Sequence, residues 1–374
     1  MYNHDTIRDN LKKKLKRYGF ALALFPAVLP FAGYFLATHW GLPNLFAFTT
    51  LFVLYGLLPL ADWLVGTDPE NPADTETKPL SNDRYFRFLL WLNLPIAIAT
   101  VVGGIYLSQH WQGLNMIGQL GLILSCGTIS AGNMINAGHE LIHKRSRTDQ
   151  NVGGLLLCLA CYPSFKIEHL RGHHVHVATP KDQSTSSYGQ SLYDFLPSAL
   201  MRNFRTAWQL ERERLAKHDQ SVWSTANELV RWYALVLILI ITIAAVFGLA
   251  GVLFFLLQSL TGIALLESVN YLEHYGLRRK LLPNGRYERV TVQHSWNSNH
   301  LLSNLLTFQL QRHSDHHANP QRPYQVLRHI DESPQLPAGY STMILLAMVP
   351  PLWMRIMNPR VRQYYQKESG LTPS

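Results

Sequence analysis

Five stretches of this chain contain no Asp, Glu, Lys or Arg at all: residues 20–38, 43–61, 88–109, 111–138 and 232–266. A helix rises about 1.5 Å per residue, so about 20 apolar residues cross the hydrocarbon core of a bilayer. Each of the first four runs therefore fits one crossing. The fifth, at 35 residues, is too long for one, and Gly248-Leu-Ala-Gly251 offers a tight turn in its middle. Apolar character continues past Glu267 toward Leu272, which leaves room for two spans there. The expected fold is an all-α membrane protein with six transmembrane helices, at approximately 19–39, 43–65, 86–109, 112–140, 230–249 and 250–274. One membrane-embedded domain, 1–374, carries a histidine-rich cytoplasmic cap from 140–229 and 275–374.

The placement of basic residues tests that count, because Lys and Arg near membrane segments stay on the cytoplasmic side. Six spans leave the N-terminus, 65–87, 139–231 and the tail from Tyr275 on one side. These hold 6, 3, 12 and 12 of the 33 Lys and Arg residues, and the opposite side holds none. An even number of crossings in the inner membrane, with both termini cytoplasmic, follows as the expected topology. The same asymmetry accounts for the net charge of +9, so no nucleic-acid partner is expected. The first apolar run is about twice the length of a signal-peptide core and is expected to stay as an anchor.

Between the spans, 66–83 reads as a solvated loop, 152–163 and 343–353 as short interfacial or half-buried helices, and 186–231 as a helical segment lying on the bundle. Cys126, Cys158 and Cys161 are too few for a disulfide framework or a four-cysteine iron site, and read as small buried side chains.

The chemistry sits in the histidines. Residues 136–144 read NAGHELIHK at the exit of the fourth span, where His139 and His143, four apart, share a helix face bordered by Asn136 and Glu140. EHLRGHH supplies His169, His173 and His174; QRHSDHH supplies His313, His316 and His317. On an α-helix His169 and His173 share a face and His174 points about 100° away, a spacing that suits ligands divided between two metals. His274, in NYLEHYGL at the end of the sixth span, lies two turns from Glu267 with Asn270 and Tyr271 between them. An acidic residue inside a span is costly and normally has a partner. His39 and His110 fall at the far membrane face, His176 reads as a supporting or surface residue, and His294 and His300 read as structural or supporting residues, with ligation as the alternative. Neutral imidazole suits iron, zinc, copper or nickel. Ligating histidines usually give their second ring proton to an acceptor, so Glu140, Glu168, Glu273 and Asp315, each beside a candidate ligand, are expected to support them, with Glu267 and Asn270 nearby.

Two other chemistries compete. His139-Glu140-Leu141-Ile142-His143 matches the HExxH of zinc proteases, in which the glutamate is a general base, but that reading leaves six or seven histidines unused. A metal transporter would carry its polar residues near mid-membrane, where this chain has almost none.

HELIHK, EHLRGHH, NYLEHYGL and QRHSDHH, in that order among six spans, closely resemble the integral-membrane alkane 1-monooxygenases, over most of the chain to about Arg328. Fatty-acid desaturases share a three-cluster plan with different spacing, and xylene monooxygenases share an NYxEHYGL-like element. The resemblance implies a non-haem centre of two irons and terminal hydroxylation of medium- to long-chain n-alkanes by O2. It also implies electrons from rubredoxin, a separate chain here with rubredoxin reductase upstream. Carried over by position, the nine iron ligands are His139, His143, His169, His173, His174, His274, His313, His316 and His317. Aromatic methyl hydroxylation of the xylene type is the nearest alternative. An alkane dissolves in lipid, so the expected route to the irons is an apolar channel between spans, with bulky Phe52 and Tyr55 of the second span as candidate linings.

Overall fold

The computed structural model describes residues 4–369, with the side chains of 11–366; the ends of the expected 1–374 unit lie outside the described residues. Those residues are 71% helix, and their only β pairings are isolated bridges. Among the described residues four helices are long and apolar enough to cross a membrane: Leu11–Trp40, Arg84–His110, Met116–Ile142 and Glu228–His274. The second expected span is less regular. Its chain breaks at Ala47 and Phe48 and continues as the 17-residue apolar helix Thr49–Val65. Near the C-terminus, Tyr340–Ala347 and Pro350–Gln366 meet at a bend of 119°.

Glu228–His274 has 47 residues, about 70 Å of helix, more than twice the hydrocarbon thickness. It does not run straight. Gly248 sits at φ 67°, ψ −173°, in the region where only a residue without a Cβ is comfortable, and it breaks the helix there. The break lies beside the end of another long helix, since the Gln109 amide donates to the Phe247 carbonyl at 2.7 Å. Nearby turns join one another at the same end of the bundle: the Asn44 side chain donates to the Gly113 carbonyl at 3.1 Å and accepts from the Asn115 amide at 2.8 Å.

The opposite end is ionic. Arg17 meets Asp83 at 2.7 Å, Arg87 meets Asp149 at 2.8 Å, and Asp68 lies between Lys16 and the buried Arg312. Thus the four segments that carry the basic residues contact one another. Between the two ends lies an apolar core that includes Leu90, Ile105, Leu122, Met134 and Phe255.

Small residues set how closely the helices approach. Between apolar surfaces in lipid there is no hydrophobic gain to exploit, so association rests on close backbone packing. A Cβ placed on Gly127 would lie 2.4 Å from the Thr261 Cβ and 2.9 Å from the Gln258 carbonyl oxygen. Gly127→Val is therefore expected to destabilise the protein by about 1–3 kcal/mol, read as a lower melting temperature in detergent. An unchanged melting temperature would show that these helices can part freely. Similarly, Gly138 and Gly153 let helix Arg147–Leu159 lie directly on Ala137–Ile142, which anchors the 152–163 segment under the histidine cap. Helix Leu192–Ala216 accounts for much of the expected 186–231 helical segment.

Candidate metal centre

Nine histidines from four segments converge at the ionic end of the bundle. His139 and His143 close the Met116–Ile142 helix, His274 closes Glu228–His274, and the others come from residues 164–176 and helix His313–Ala318. They form two groups, one of His139, His143, His169, His174 and His316, the other of His173, His274, His313 and His317. Within each group, one potential donor atom per residue lies within 4.8 Å of every other.

Local helix geometry decides this division. His169–His173 is a π-helical turn, as is Ser130–Asn136 just before the first pair. Such turns bond five residues along rather than four. The expected α-helical partnership of His169 with His173 is therefore replaced: His169 and His174, five apart, bring their Nε2 atoms to 3.0 Å, and His173 turns to the other group. His139 and His143 stay together as their spacing suggests. In the last cluster His313 and His317, four apart, join one group and His316 the other.

The rings point their Nε2 atoms inward. In the larger group the separations are 3.1 Å for His139 to His316, 3.2 Å for His316 to His174, and 3.0 Å for His169 to His143. In the smaller they are 3.2 Å for His173 to His317 and 3.3 Å for His313 to His274. Mutual hydrogen bonding cannot satisfy this arrangement. Each Nε2 has a single in-plane proton or lone pair, yet His169 and His316 each face two neighbours. A cation at the centre of each group would accept every lone pair at once. Metal–nitrogen bonds of about 2.1 Å at about 90–110° leave ligand nitrogens about 3.0–3.4 Å apart, so the donor sets fit first-row metals.

Burial prepares these rings to act as ligands. His143, His169, His174, His313, His316 and His317 are all held well below the ordinary histidine value, first by desolvation and then by neighbouring rings. At neutral pH they keep their lone pairs. Buried Nδ1 atoms of His174, His313 and His317 have no hydrogen-bond partner.

Two other Nδ1 atoms are held. That of His274 faces the His294 carbonyl oxygen at 3.1 Å, so His294 contributes through its backbone. That of His173 faces both oxygens of Asp182, at 3.1 and 3.0 Å. Burial opposes the charge of Asp182, but His173 and the Thr185 hydroxyl outweigh it and keep the carboxyl below its ordinary value. Sequence reasoning missed this aspartate; the turn-forming DQSTS that follows the second cluster is its one local sign.

The carboxylates expected beside the ligands mostly serve other partners. Glu140 accepts from Lys144 at 2.5 Å and from the Tyr324 amide at 3.2 Å. Asp315 binds Arg322, Asn319 and the Arg328 amide. Glu267 accepts from Tyr162 at 2.7 Å, Asn203 at 3.1 Å and Asn270 at 3.2 Å, which supplies its expected partners. Glu168 is buried against Gly172, where burial pushes its carboxyl well up. Only Glu273 among these five approaches a ring of the two groups, at 3.1 Å from His313 Nε2. Asn136 donates to the Thr307 carbonyl at 2.8 Å and pins the fourth span to the cap.

Phe52 does not face the interior: it is 64% exposed on the outside of the bundle. Tyr55 is half-buried against the cluster containing Tyr271, Leu272 and Met343. A cavity of about 480 Å³ reaches His143 between Arg87, Lys144, Arg145 and Tyr324.

Residues 115–347 match the fatty acid desaturase family. Alkane 1-monooxygenase 2 of Pseudomonas aeruginosa is 49% identical over 360 residues, 95% of this chain and 94% of that protein. Alkane 1-monooxygenase 2 of Alcanivorax borkumensis is 46% identical over 364 residues, 95% of this chain and 93% of its own length. The hydroxylase component of the xylene/toluene monooxygenase of Pseudomonas putida is more distant, 29% identical over 248 residues and 66% of each chain.

Proposed function

The chain belongs to the fatty acid desaturase family and, within it, to the alkane 1-monooxygenases, and we propose that it hydroxylates the terminal methyl of medium- to long-chain n-alkanes with O2 and two electrons from rubredoxin. The observation that carries the reading is the pair of adjacent donor sets, five and four inward-facing imidazoles, which fit two irons. Those irons, when bound, supply the activation of O2 that puts one oxygen atom into the C–H bond and releases the other as water.

The protein's part is placement. Nine histidines hold the metals where the bundle meets the cap, and Asp182 fixes the orientation of His173. An alkane enters from the lipid between the helices, so that only its end reaches the centre and the rest stays in apolar surroundings. On this reading the bundle lies in the inner membrane with six spans, the Gly248 break separating the last two, and both termini are cytoplasmic. Support comes from the confinement of all 33 basic residues to segments that meet at one end of the molecule. Rubredoxin, supplied as a separate chain, meets that same basic end. Its reduction of the enzyme is expected to slow as ionic strength rises; insensitivity to salt would argue against electrostatic docking.

Purified enzyme given n-octane, rubredoxin, its reductase and ¹⁸O2 is expected to form labelled 1-octanol. Unlabelled product would sink the reading, and oxidation of p-xylene in preference to octane would favour the xylene-type alternative. Tyr55 is the remaining candidate for the far wall of the alkane's path. Tyr55→Ala is expected to extend the longest alkane accepted; an unchanged limit would remove it from that role.

A further inference from the structure

Glu273 stands apart from the other carboxylates around the centre. Its side chain is 1% exposed, and its Oε2 lies 3.1 Å from His313 Nε2, the same nitrogen that faces His274 Nε2 at 3.3 Å. This is the inward, donor atom of His313. A supporting carboxylate would instead stand behind the ring at Nδ1, as Asp182 does for His173. When Nε2 gives its lone pair to a metal it carries no proton, and an oxygen beside it has nothing to accept from that ring. Two lone pairs at 3.1 Å repel unless a cation, or a proton on the oxygen, lies between them.

The rest of the residue is built to aim that oxygen. Oε1 accepts from the Tyr340 hydroxyl at 2.6 Å, and the backbone carbonyl of Glu273 accepts from the Trp296 amide at 2.7 Å. Tyr340 is itself held where its helix begins, its amide donating to Gln311 at 3.2 Å. One carboxylate oxygen is thereby committed and the other left at the smaller histidine group. That group has four imidazoles where its neighbour has five. We infer that Glu273 is the oxygen donor of the four-histidine centre, making the two metal sites chemically unequal: five nitrogens in one, four nitrogens and a carboxylate in the other. This rests on the reading that the two groups hold two irons.

Mössbauer spectra of the ⁵⁷Fe-loaded, reduced enzyme separate the inference from that reading. Wild-type protein is expected to hold two irons with two distinct doublets; a wild type without two irons would overturn the di-iron reading itself. The doublet lost in His274→Ala identifies the four-histidine site. Glu273→Gln keeps the shape and can still donate a hydrogen bond, as a protonated acid would, but removes the anionic donor. It is expected to shift that doublet alone and weaken that site's iron affinity roughly 10- to 100-fold. Two bound irons with both doublets unchanged would overturn the inference. If Glu273→Gln does not accumulate as folded protein, Tyr340→Phe carries the test. Loss of its hydroxyl frees Oε1 and is expected to shift the same doublet, and an unchanged spectrum counts against Glu273 as a donor.

Discussion

Replacing His274 with alanine is expected to lower alkane hydroxylation by at least about 1000-fold, equivalent to about 4 kcal/mol of barrier. His274 has no local histidine partner. It is the single one of the nine that ends the long Glu228–His274 helix, and its Nε2 meets His313 Nε2 at 3.3 Å. Its loss removes one of four imidazoles from the smaller group and leaves the five of the larger group in place. Iron analysis should therefore fall from two per protein toward one. His176 supplies the control: only three residues from His173, it belongs to neither group. His176→Ala is expected to change activity by no more than about twofold, as ordinary surface substitutions do. Equal losses from both substitutions would mean that histidine content matters and the grouping does not.

Asp182 carries the second large effect. Its carboxylate receives the Nδ1 proton of His173 while its oxygens also take the Ser184 amide at 3.1 Å and the Thr185 hydroxyl at 2.5 Å. The loop after the second cluster is thereby folded around a charge that directs His173 Nε2 inward. Asp182→Ala is expected to weaken iron binding and turnover on the order of 10- to 100-fold, the range that partners of ligating histidines command. Asp182→Asn should fall nearer the lower limit, because its amide oxygen can still accept from Nδ1 but brings no charge. Iron titration of both variants, with melting temperature measured alongside, checks this. A fall in stability without a fall in iron affinity would make Asp182 a loop residue only.

How far these features can be read from sequence depends on the distance over which each acts. The apolar runs are local, and so is the four-residue spacing of His139 and His143, so helical class and ligand set are legible in the chain itself. The division of the histidines is not. It turns on the π turn at His169–His173, and an α-helical reading pairs His169 with His173 where the structure pairs it with His174. Carboxylates next to ligands misled for a simpler reason. Consecutive helical residues point about 100° apart, so Glu140 and Asp315 face away from the rings beside them and hold Lys144 and Arg322. Asp182 reaches His173 through a loop, across nine residues, where no periodicity applies. Phe52 shows the limit in another direction: an aromatic residue in a span looks the same in sequence whether it faces a channel or lipid.

Nine histidines make two metal sites, with five imidazole donors in one and four in the other. The most direct measurement is an anomalous difference map recorded at the iron absorption edge from crystals of the iron-loaded enzyme. Two peaks are predicted, one enclosed by His139, His143, His169, His174 and His316 and one by His173, His274, His313 and His317. A single peak, or a second iron bound outside these two groups, would contradict it.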